Sequence, residues 1–329
     1  MILVVGAGAV GTILSAYLMA AKREPLKLYV RDKDAALQTA QDIRVEHVGS
    51  AYPPIVAPKP VLTRSLALDD IDYLLICVKF PQLDALLTQI GEVPARCTLV
   101  STLNGVGALR HIRERFPSAR VVPLTVMFNG QLLEPLHAQI TTRPQILIGS
   151  DDRRLLSAFG DSGMKVAQVS GESAAWGKLL INLANAICAL THTTFKDLLT
   201  QPDLRAIYVA VLDEAVALLE HARIDYHLPM PIPYGVYRAL LAGRTPLPWW
   251  FAKLRNGLQA GSYPSMVADV EAGRRTEIGQ LNGEIVCMGL EHRRPTPVNA
   301  KIVSLVQKIE GIARPPYLTP AELRARLGV

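Results

Sequence analysis

Three polar residues stand out in a segment that is otherwise apolar. Residues 174–190 read AAWGKLLINLANAICAL, and the only strongly polar side chains are those of Lys178, Asn182 and Asn185. At about 100° per residue these three fall on one face of a helix. A helix that is apolar nearly all round is normally buried. Burial lowers the pKa of a lysine, so Lys178 could donate a proton near neutral pH. The alternative is a structural lysine whose ammonium reaches water from a helix at a domain interface.

A second polar group lies ahead of the apolar, helix-periodic residues 281–290. It contains Ser265, Asp269 and, within the run GRRTEI, Glu277. The serine and the carboxylate are candidates for a site. Spacing alone fits two simpler interpretations equally well, in which Ser265 caps a helix and Glu277 pairs with an arginine at the surface.

The N-terminus carries a glycine pattern typical of dinucleotide binding. The hexapeptide fits G-x-G-x-x-G and reads Gly6-Ala7-Gly8-Ala9-Val10-Gly11. It follows an apolar strand at 2–5, opens an apolar helix at 10–21 and precedes a second strand at 26–30, as in a βαβ unit. Such glycines let the backbone approach a pyrophosphate, which the N–H groups and the positive dipole end of the helix bind. The segment predicts a nicotinamide dinucleotide site; the alternative is a glycine turn needed only for packing.

The residue after the second strand bears on the choice of cofactor. An acidic residue there binds the ribose 2′-hydroxyl of NAD, whereas an arginine can receive the 2′-phosphate of NADP. Arg31 therefore favours NADPH, although Asp32 follows it and a shift of one residue in the strand end would reverse the preference. Lys79 and Asn104 follow two further predicted strands, at the sheet edge where ligands bind. Arg31 and Lys79 could also be solvated charges, and Asn104 a turn residue.

The order of elements predicts an α/β protein of two domains. Residues 1–170 form a Rossmann-type dinucleotide-binding domain, and residues 171–329 form an all-α domain. Further strands are predicted at 73–78, 98–102, 121–127, 138–142 and 145–148, and helices at 82–90, 106–115, 173–190, 204–222, 265–289 and 298–310. The strands after residue 120 lack intervening helices, so the sheet is expected to end in antiparallel strands. The prolines between 53 and 60 predict edge strands and turns, and the Pro-, Trp- and Tyr-rich stretch 229–264 has no clear pattern.

The composition indicates a soluble globular protein. Of the 329 residues, 50% are hydrophobic and 19% are charged, which argues against extensive disorder. The formal net charge is +6, but the basic residues are scattered, which argues against nucleic-acid binding and suits anionic ligands. The four cysteines form no CxxC pair, so we expect no zinc site and a reducing cytoplasm. The uncharged run at 1–21 could mimic a membrane span, but the strand–turn–helix pattern explains its three glycines better.

Taken in order along almost the whole chain, these segments resemble the ketopantoate reductase (2-dehydropantoate 2-reductase) family. The resemblance rests on the glycine hexapeptide together with Lys79, Asn104-Gly105, Trp176-Gly177-Lys178-Leu179 leading to Asn182, Ser265-Met266 before Asp269, Thr276-Glu277-Ile278 and Pro295-Thr296-Pro297-Val298-Asn299. Each segment alone is modest, but their order and separation make a chance match improbable.

The resemblance implies reduction of 2-dehydropantoate (ketopantoate) to pantoate with NADPH, a step of pantothenate biosynthesis. NADPH would deliver hydride to the 2-oxo carbon while Lys178, as the general acid, protonates the forming alkoxide. Glu277 would support Lys178 and the substrate hydroxyl. The remaining assignments are Asn182, Asn185 and Ser265 to the oxo acid, Lys79 to the cofactor, and Asn104 to both. The implied partner is a small anionic 2-oxo acid, with no metal, nucleic acid or membrane, and a homodimer is possible.

Two departures from the family pattern leave alternatives open. The family's second helix asparagine lies four residues after the first, but that position here is Ala186 and the asparagine is Asn185. The stretch 229–262, with Trp249-Trp250 and many prolines, also differs from the compact segment expected. The alternatives are a reductase of another small 2-oxo acid, a related β-hydroxyacid dehydrogenase, or a non-catalytic NADP(H) sensor.

Overall fold

The chain divides into an α/β unit and a helical unit, which confirms the predicted fold class. The structure is a computed structural model and describes residues 1–31, 36–49, 52–230, 232–243, 245–256 and 261–329. The first unit comprises Met1–Leu103 and Gly107–Ala174, and the second comprises Asn104–Val106 and Ala175–Val329. The first unit thus extends past the predicted limit of residue 170, and a short segment after one of its strands belongs to the second unit.

A large sheet forms the centre of the first unit. The strands of this unit are β1 (Ile2–Val5), β2 (Leu26–Tyr29), β3 (Asp42–His47), β4 (Ile55–Pro58), β5 (Val61–Thr63), β6 (Tyr73–Ile76), β7 (Thr98–Ser101), β8 (Arg120–Val126), β9 (Gly130–Glu134), β10 (His137–Ile140), β11 (Gln145–Ile148) and β12 (Lys165–Gln168). Eight of them form one sheet in the order β12-β11-β8-β7-β6-β1-β2-β5. From β5 to β8 all neighbours are parallel, so the carboxyl ends of these strands share one edge of the sheet.

The central strand β1 shows why this sheet is covered on both faces. The helices of the unit are α1 (Ala9–Ala21), α2 (Ala36–Thr39), α3 (Leu83–Gln89), α4 (Gly107–Arg115) and α5 (Arg153–Ser157). All four residues of β1 are buried. Because side chains alternate along a strand, Ile2 and Val4 join the hydrophobic cluster that includes α1, whereas Leu3 and Val5 join the cluster that includes α3 and α4.

A second, four-stranded sheet covers the other side of α1. Its order is β4-β3-β10-β9, and all four strands contact α1. The predicted antiparallel end of the main sheet is confirmed at β11, which pairs antiparallel with β8. The expectation is wrong for the strand predicted at 138–142, because β10 belongs to the smaller sheet, and β12 pairs parallel with β11. The proline-rich stretch 53–60 contains β4, an edge strand of the smaller sheet, as predicted, and β5, which follows it, is an edge strand of the main sheet.

The second unit is built from helices around a long central one. Its helices are α6 (Ser173–Asn182), which starts at the end of the first unit, α7 (Ala184–Thr191), α8 (Phe195–Thr200), α9 (Pro202–His221), α10 (Tyr234–Ala242), α11 (Leu247–Asn256), α12 (Ser265–Glu271), α13 (Asn282–Glu291), α14 (Pro297–Ile309) and α15 (Pro320–Leu327). Helix α9 packs against α7, α8, α10, α13, α14 and α15. The stretch 229–264, left unassigned from the sequence, contains α10 and α11.

Two predicted helices of this unit are divided. The helix predicted at 265–289 is wrong as a single element: α12 ends at Glu271, a 3-10 turn follows at Ile278–Gln280, and α13 begins at Asn282. The cause is Gly273, whose φ of +64° is the left-handed conformation that terminates helices. The helix predicted at 173–190 is interrupted at Leu183, although the Leu183 N–H still donates to the Leu179 carbonyl at 3.0 Å. The irregularity is therefore a local one.

Among the described residues, one helical stretch is long and apolar enough to cross a membrane. It is Ser173–Thr191, which consists of α6 and α7, and 83% of its most apolar 18-residue window is buried inside the protein. A buried core helix has the same composition.

Candidate active site

The glycine hexapeptide forms a tight turn between β1 and α1. Gly6 has a φ of +108°, and a Cβ there would lie 2.7 Å from the Cys77 carbonyl. A Cβ on Gly11 would lie 1.8 Å from the Gly6 carbonyl oxygen. Gly8 differs, because a Cβ on it would meet no atom within 4 Å. The turn is thus tightly packed against the protein at Gly6 and Gly11 and open at Gly8.

The open side of this turn fits the pyrophosphate of a dinucleotide. Helix α1 begins at Ala9, and its N-cap residue Gly8 offers no side chain to bond the first N–H groups. Those N–H groups and the positive dipole end of the helix favour a bound anion. The residues present therefore fit the cofactor predicted from the sequence.

Two cationic candidates lie at the same edge of the sheet. Arg31 is exposed two residues after the end of β2, and Lys79 is exposed three residues after the end of β6. Since β1 lies between β2 and β6, both residues flank the strand that leads into the glycine turn. Asp32, the competing residue for the ribose, lies outside the described residues.

In the second unit the structure brings Lys178, Glu277 and Asn104 together. Lys178 is a half-buried residue of α6. Burial lowers the pKa of Lys178 to about 8, while the negative charge of Glu277 acts in the opposite direction. Asn104 Nδ2 donates a hydrogen bond to Glu277 Oε2 at 3.1 Å. From the sequence, Glu277 could belong to a site or pair with an arginine at the surface. The structure contradicts the surface pairing, because the Glu277 carboxylate is hydrogen-bonded to the Asn104 amide.

Gly105 allows the backbone next to Asn104 to lie close to the 3-10 turn that follows Glu277. Gly105 has a φ of +79°, and a Cβ there would lie 2.5 Å from the Gln280 carbonyl oxygen. Only glycine allows this approach without strain. The contact places the Asn104 backbone beside the 3-10 turn that follows Glu277.

The two helix asparagines lie on either side of the irregularity at Leu183. Asn182 is the last residue of α6 and is half-buried, whereas Asn185 is buried in α7. The Oδ1 atom of Asn185 has no hydrogen-bond partner in the protein. A buried acceptor without a donor is costly, so a ligand hydroxyl or N–H would satisfy it.

Ser265 is the candidate that the structure ties least firmly to the site. It is exposed and is the first residue of α12, and it makes no side-chain cap. Helix α12 packs along α7, the helix that carries Asn185. The capping interpretation of Ser265 is thus wrong, and its assignment to the oxo acid stays a prediction.

Sequence reasoning missed the groups that hold this site in place. A Cβ on Gly177, next to Lys178, would lie 1.8 Å from the His227 carbonyl oxygen, so α6 lies directly against that backbone. Glu310 accepts hydrogen bonds from Thr276, the neighbour of Glu277. The resemblance of residues 176–179 and 276–278 marked these segments but gave no sign of their distant partners. Within the described residues, no three His, Cys, Asp or Glu side chains form a metal site.

Comparison with known proteins gives consistent matches over most of the chain. The family model for ketopantoate reductase PanE/ApbA matches residues 2–153, and the model for its C-terminal part matches residues 172–310. A 2-dehydropantoate 2-reductase of Aquifex aeolicus (strain VF5) is 24% identical over 322 residues, which cover 94% of this chain and 96% of the relative. One of Caulobacter vibrioides is 28% identical over 317 residues, which cover 93% and 97%.

Solved structures share the fold at low sequence identity. The PanE/ApbA family ketopantoate reductase from Ralstonia eutropha JMP134 has a TM-score of 0.76 at 24% identity and covers 94% of this chain and 98% of its own. A D-mandelate dehydrogenase, solved with NADH and anilino(oxo)acetate, has a TM-score of 0.75 at 19% identity with the same coverage. A dimeric ketopantoate reductase from Staphylococcus aureus has a TM-score of 0.69 at 22% identity, again with that coverage.

The first unit has a glycine turn that fits a dinucleotide, and the second unit has a lysine, a carboxylate and an amide. Together these features are typical of a dinucleotide-dependent oxidoreductase. The chain belongs to the ketopantoate reductase family, since the two family models together span most of it. The curated relatives are named 2-dehydropantoate 2-reductase, after the reduction of a 2-oxo acid, and the D-mandelate dehydrogenase that shares the fold was solved with NADH. The predicted family is confirmed.

Proposed function

We propose that this chain reduces 2-dehydropantoate to pantoate with NADPH, as a cytoplasmic step of pantothenate biosynthesis. The observation that supports this most is a half-buried lysine, Lys178, on which the negative charge of Glu277 acts while Asn104 is hydrogen-bonded to that carboxylate. Burial brings the pKa of Lys178 to about 8, so its ammonium is present at neutral pH and gives up its proton readily. The names of the relatives, 2-dehydropantoate 2-reductase, favour the same reaction.

The proposed reaction divides its tasks among the residues of the two units. The glycine turn would hold the dinucleotide, whose nicotinamide would supply the hydride for the 2-oxo carbon. Lys178 donates a proton to the 2-oxo oxygen, and its positive charge stabilises the negative charge that develops there. Glu277 keeps Lys178 charged before the transfer, and the Asn104 amide holds the Glu277 carboxylate.

The amides of α6 and α7 are proposed to hold the substrate. Asn182 is half-buried and accessible to a ligand. The buried Oδ1 of Asn185 needs a donor, which the hydroxyl of ketopantoate would provide. A 2-oxo acid without a hydroxyl would leave this acceptor unsatisfied at a cost of about 1–3 kcal/mol. Ser265, at the start of the neighbouring helix α12, is proposed as a further donor to the oxo acid.

NADPH rather than NADH is proposed because of the charge at the sheet edge. Arg31 is exposed two residues after the end of β2, in the region where a ribose 2′-phosphate is received in this fold. Lys79 follows β6 and is proposed to face the same cofactor. The dimeric relative from Staphylococcus aureus makes a homodimer of this chain a reasonable proposal as well.

A second candidate function is reduction of another small 2-oxo acid. Asn185 follows the irregularity at Leu183, and this altered placement favours a changed substrate. The D-mandelate dehydrogenase that shares the fold was solved with a different oxo acid.

The deciding experiment follows the absorbance of NADPH, and of NADH in parallel, with purified protein and a set of 2-oxo acids with and without a hydroxyl. Oxidation of NADPH by ketopantoate alone is the expected result. Turnover with a different oxo acid would move the protein to the second candidate. Tight NADPH binding without turnover on any acid would indicate a non-catalytic sensor and contradict the proposal.

A further inference from the structure

The segment that carries Glu277 is tied at its beginning to the end of helix α14. Glu310, the C-cap residue of α14, accepts two hydrogen bonds at a single oxygen, Oε1. Thr276 donates both, from its backbone N–H at 2.8 Å and from its hydroxyl at 2.6 Å. The Thr276 hydroxyl oxygen in turn accepts the N–H of Ile278 at 3.2 Å. Glu277 thus lies between two residues whose backbone N–H groups are both engaged in this small network.

The same segment is tied at its other end to the beginning of α14. Asn282 Nδ2 donates to Asn299 Oδ1 at 3.0 Å, and both asparagines are fully buried. Asn299 Nδ2 and its backbone N–H donate to Glu214 Oε2 on α9, at 2.9 and 3.0 Å. Helix α14 therefore holds both ends of the segment 276–282.

The two hydrogen bonds that Thr276 donates to Glu310 are accepted by a carboxylate oxygen. Hydrogen bonds to an ionised carboxylate are shorter and roughly twice as strong as neutral ones. They engage the residue directly before Glu277, so a loss of them frees the backbone from which the Glu277 side chain projects. Such freedom matters because Glu277 acts on Lys178 by charge, and the strength of that action depends on distance.

We propose that Glu310 is a positioning residue for the reaction, because its carboxylate fixes Thr276 and thereby keeps Glu277 in place beside Lys178 and Asn104. Glu310 acts through Thr276 and has no contact of its own with the reacting groups. The inference rests on the proposed roles of Lys178 and Glu277.

The test measures how readily Lys178 titrates, without relying on turnover. The rate at which a trace amine-reactive reagent modifies Lys178 is followed against pH by peptide mass spectrometry in the wild type, Glu310→Ala, Glu310→Gln and Glu277→Gln. Glu277 raises the pKa of Lys178, so Glu277→Gln should move the labelling curve to lower pH. Glu310→Ala should move it in the same direction by a smaller amount. Glu310→Gln should restore most of the wild-type curve, since its amide oxygen still accepts from Thr276.

The chain offers a matched control. Glu322 in α15 accepts the backbone N–H and the hydroxyl of Thr319, both at 2.8 Å, which is the same bonding pattern at another helix. Glu322→Ala should leave the Lys178 curve unchanged. Thermal melts of each variant show whether it is folded, and Thr276→Val, which keeps the side-chain shape, replaces Glu310→Ala if that variant does not fold.

Turnover then separates this inference from the proposed function. For Glu310→Ala we expect kcat to fall roughly tenfold, as for a displaced catalytic group, and the alkaline limb of the pH–rate profile to shift as the labelling does. If Glu310→Ala or Thr276→Val labels like the wild type while Glu277→Gln shifts, the positioning role is wrong. If the labelling curve of Glu277→Gln does not shift either, the electrostatic coupling between Glu277 and Lys178, on which the positioning role depends, is absent. If the labelling shifts appear but no 2-oxo acid is reduced by the wild type, the proposed function fails, whereas the finding that Glu310 keeps Glu277 in place near Lys178 stands.

Discussion

Two opposing influences set the pKa of Lys178, and they predict the pH dependence of the reaction. Burial lowers the pKa to about 8, and Glu277 acts to raise it. A general acid must be protonated, so the rate of reduction should be constant below this pKa and fall tenfold per pH unit above it. Initial rates of NADPH oxidation between about pH 6 and 10 measure this. Glu277→Gln should shift the fall to lower pH, and a profile that stays flat to pH 10 would exclude Lys178 as the acid.

Removal of the Lys178 ammonium should abolish chemistry while leaving cofactor binding intact. Loss of a general acid typically costs about 10² to 10⁴ in rate, so Lys178→Ala should lose turnover by that factor. The first unit carries the glycine turn, so the affinity for NADPH, measured by fluorescence titration, should stay near the wild-type value. Lys196→Ala, which removes an exposed lysine of α8, is the control and should retain both properties.

Arg31 decides between the two nicotinamide cofactors if it receives the 2′-phosphate. Arg31→Ala should then weaken the binding of NADPH much more than that of NADH, because only NADPH has the phosphate. Dissociation constants for both cofactors give the ratio. Lys165→Ala removes an exposed positive charge from β12 at the opposite edge of the sheet and should leave the ratio unchanged. An equal loss for both cofactors would assign the phosphate to another residue.

At the scale of elements, different glycines of the N-terminal strand–turn–helix are expected to serve packing and cofactor binding. A Cβ on Gly11 would collide with the Gly6 carbonyl oxygen, whereas one on Gly8 meets no protein atom within 4 Å. Gly11→Ala should therefore lower the free energy of unfolding by about 1–3 kcal/mol or more, as overpacking does. Gly8→Ala should melt like the wild type and bind NADPH at least tenfold more weakly. Unchanged binding in Gly8→Ala would mean that the pyrophosphate does not lie over this turn.

The elements that the sequence predicts best are those whose cause is local. The run Ile2–Val5 and the glycines after it define strand, turn and helix within 21 residues, and the structure has them nearly as predicted. The break in the helix predicted at 265–289 comes from Gly273 at a positive φ. Glycine is tolerated inside a helical pattern, so its conformation is settled by distant packing: a Cβ there would lie 3.0 Å from Ala313 N.

The residues of the candidate site also differ in whether a local sequence pattern or distant packing determines their place. Lys178 and Asn182 stand out because they interrupt an apolar helical face, and this signal lies within one helix. Asn104 follows a strand of the first unit but belongs to the second by its contacts, and its bond to Glu277 joins residues 173 positions apart. Glu310 and Thr276 are 34 positions apart. Such pairs depend on how helices pack, which a single sequence does not encode in any local pattern.

For the molecule as a whole, the excess of positive charge predicts how salt affects the reaction. The chain has 35 lysines and arginines against 29 aspartates and glutamates, a formal net charge of +6, and both proposed ligands are anions. Long-range attraction of this kind is screened within about 10 Å at 0.1 M salt. The KM values for NADPH and for the oxo acid should therefore rise several-fold between about 0.02 and 0.2 M NaCl.

Turnover at saturation should respond differently, because the charge of Glu277 acts on Lys178 inside the second unit, where salt screens charges much less than at the surface. We expect kcat to change little over the same range, and KCl at equal ionic strength should give the same curves as NaCl. A fall in kcat at constant KM would contradict this, because it would mean that salt acts on the charge pair itself and that Lys178 and Glu277 are open to solvent in the working enzyme.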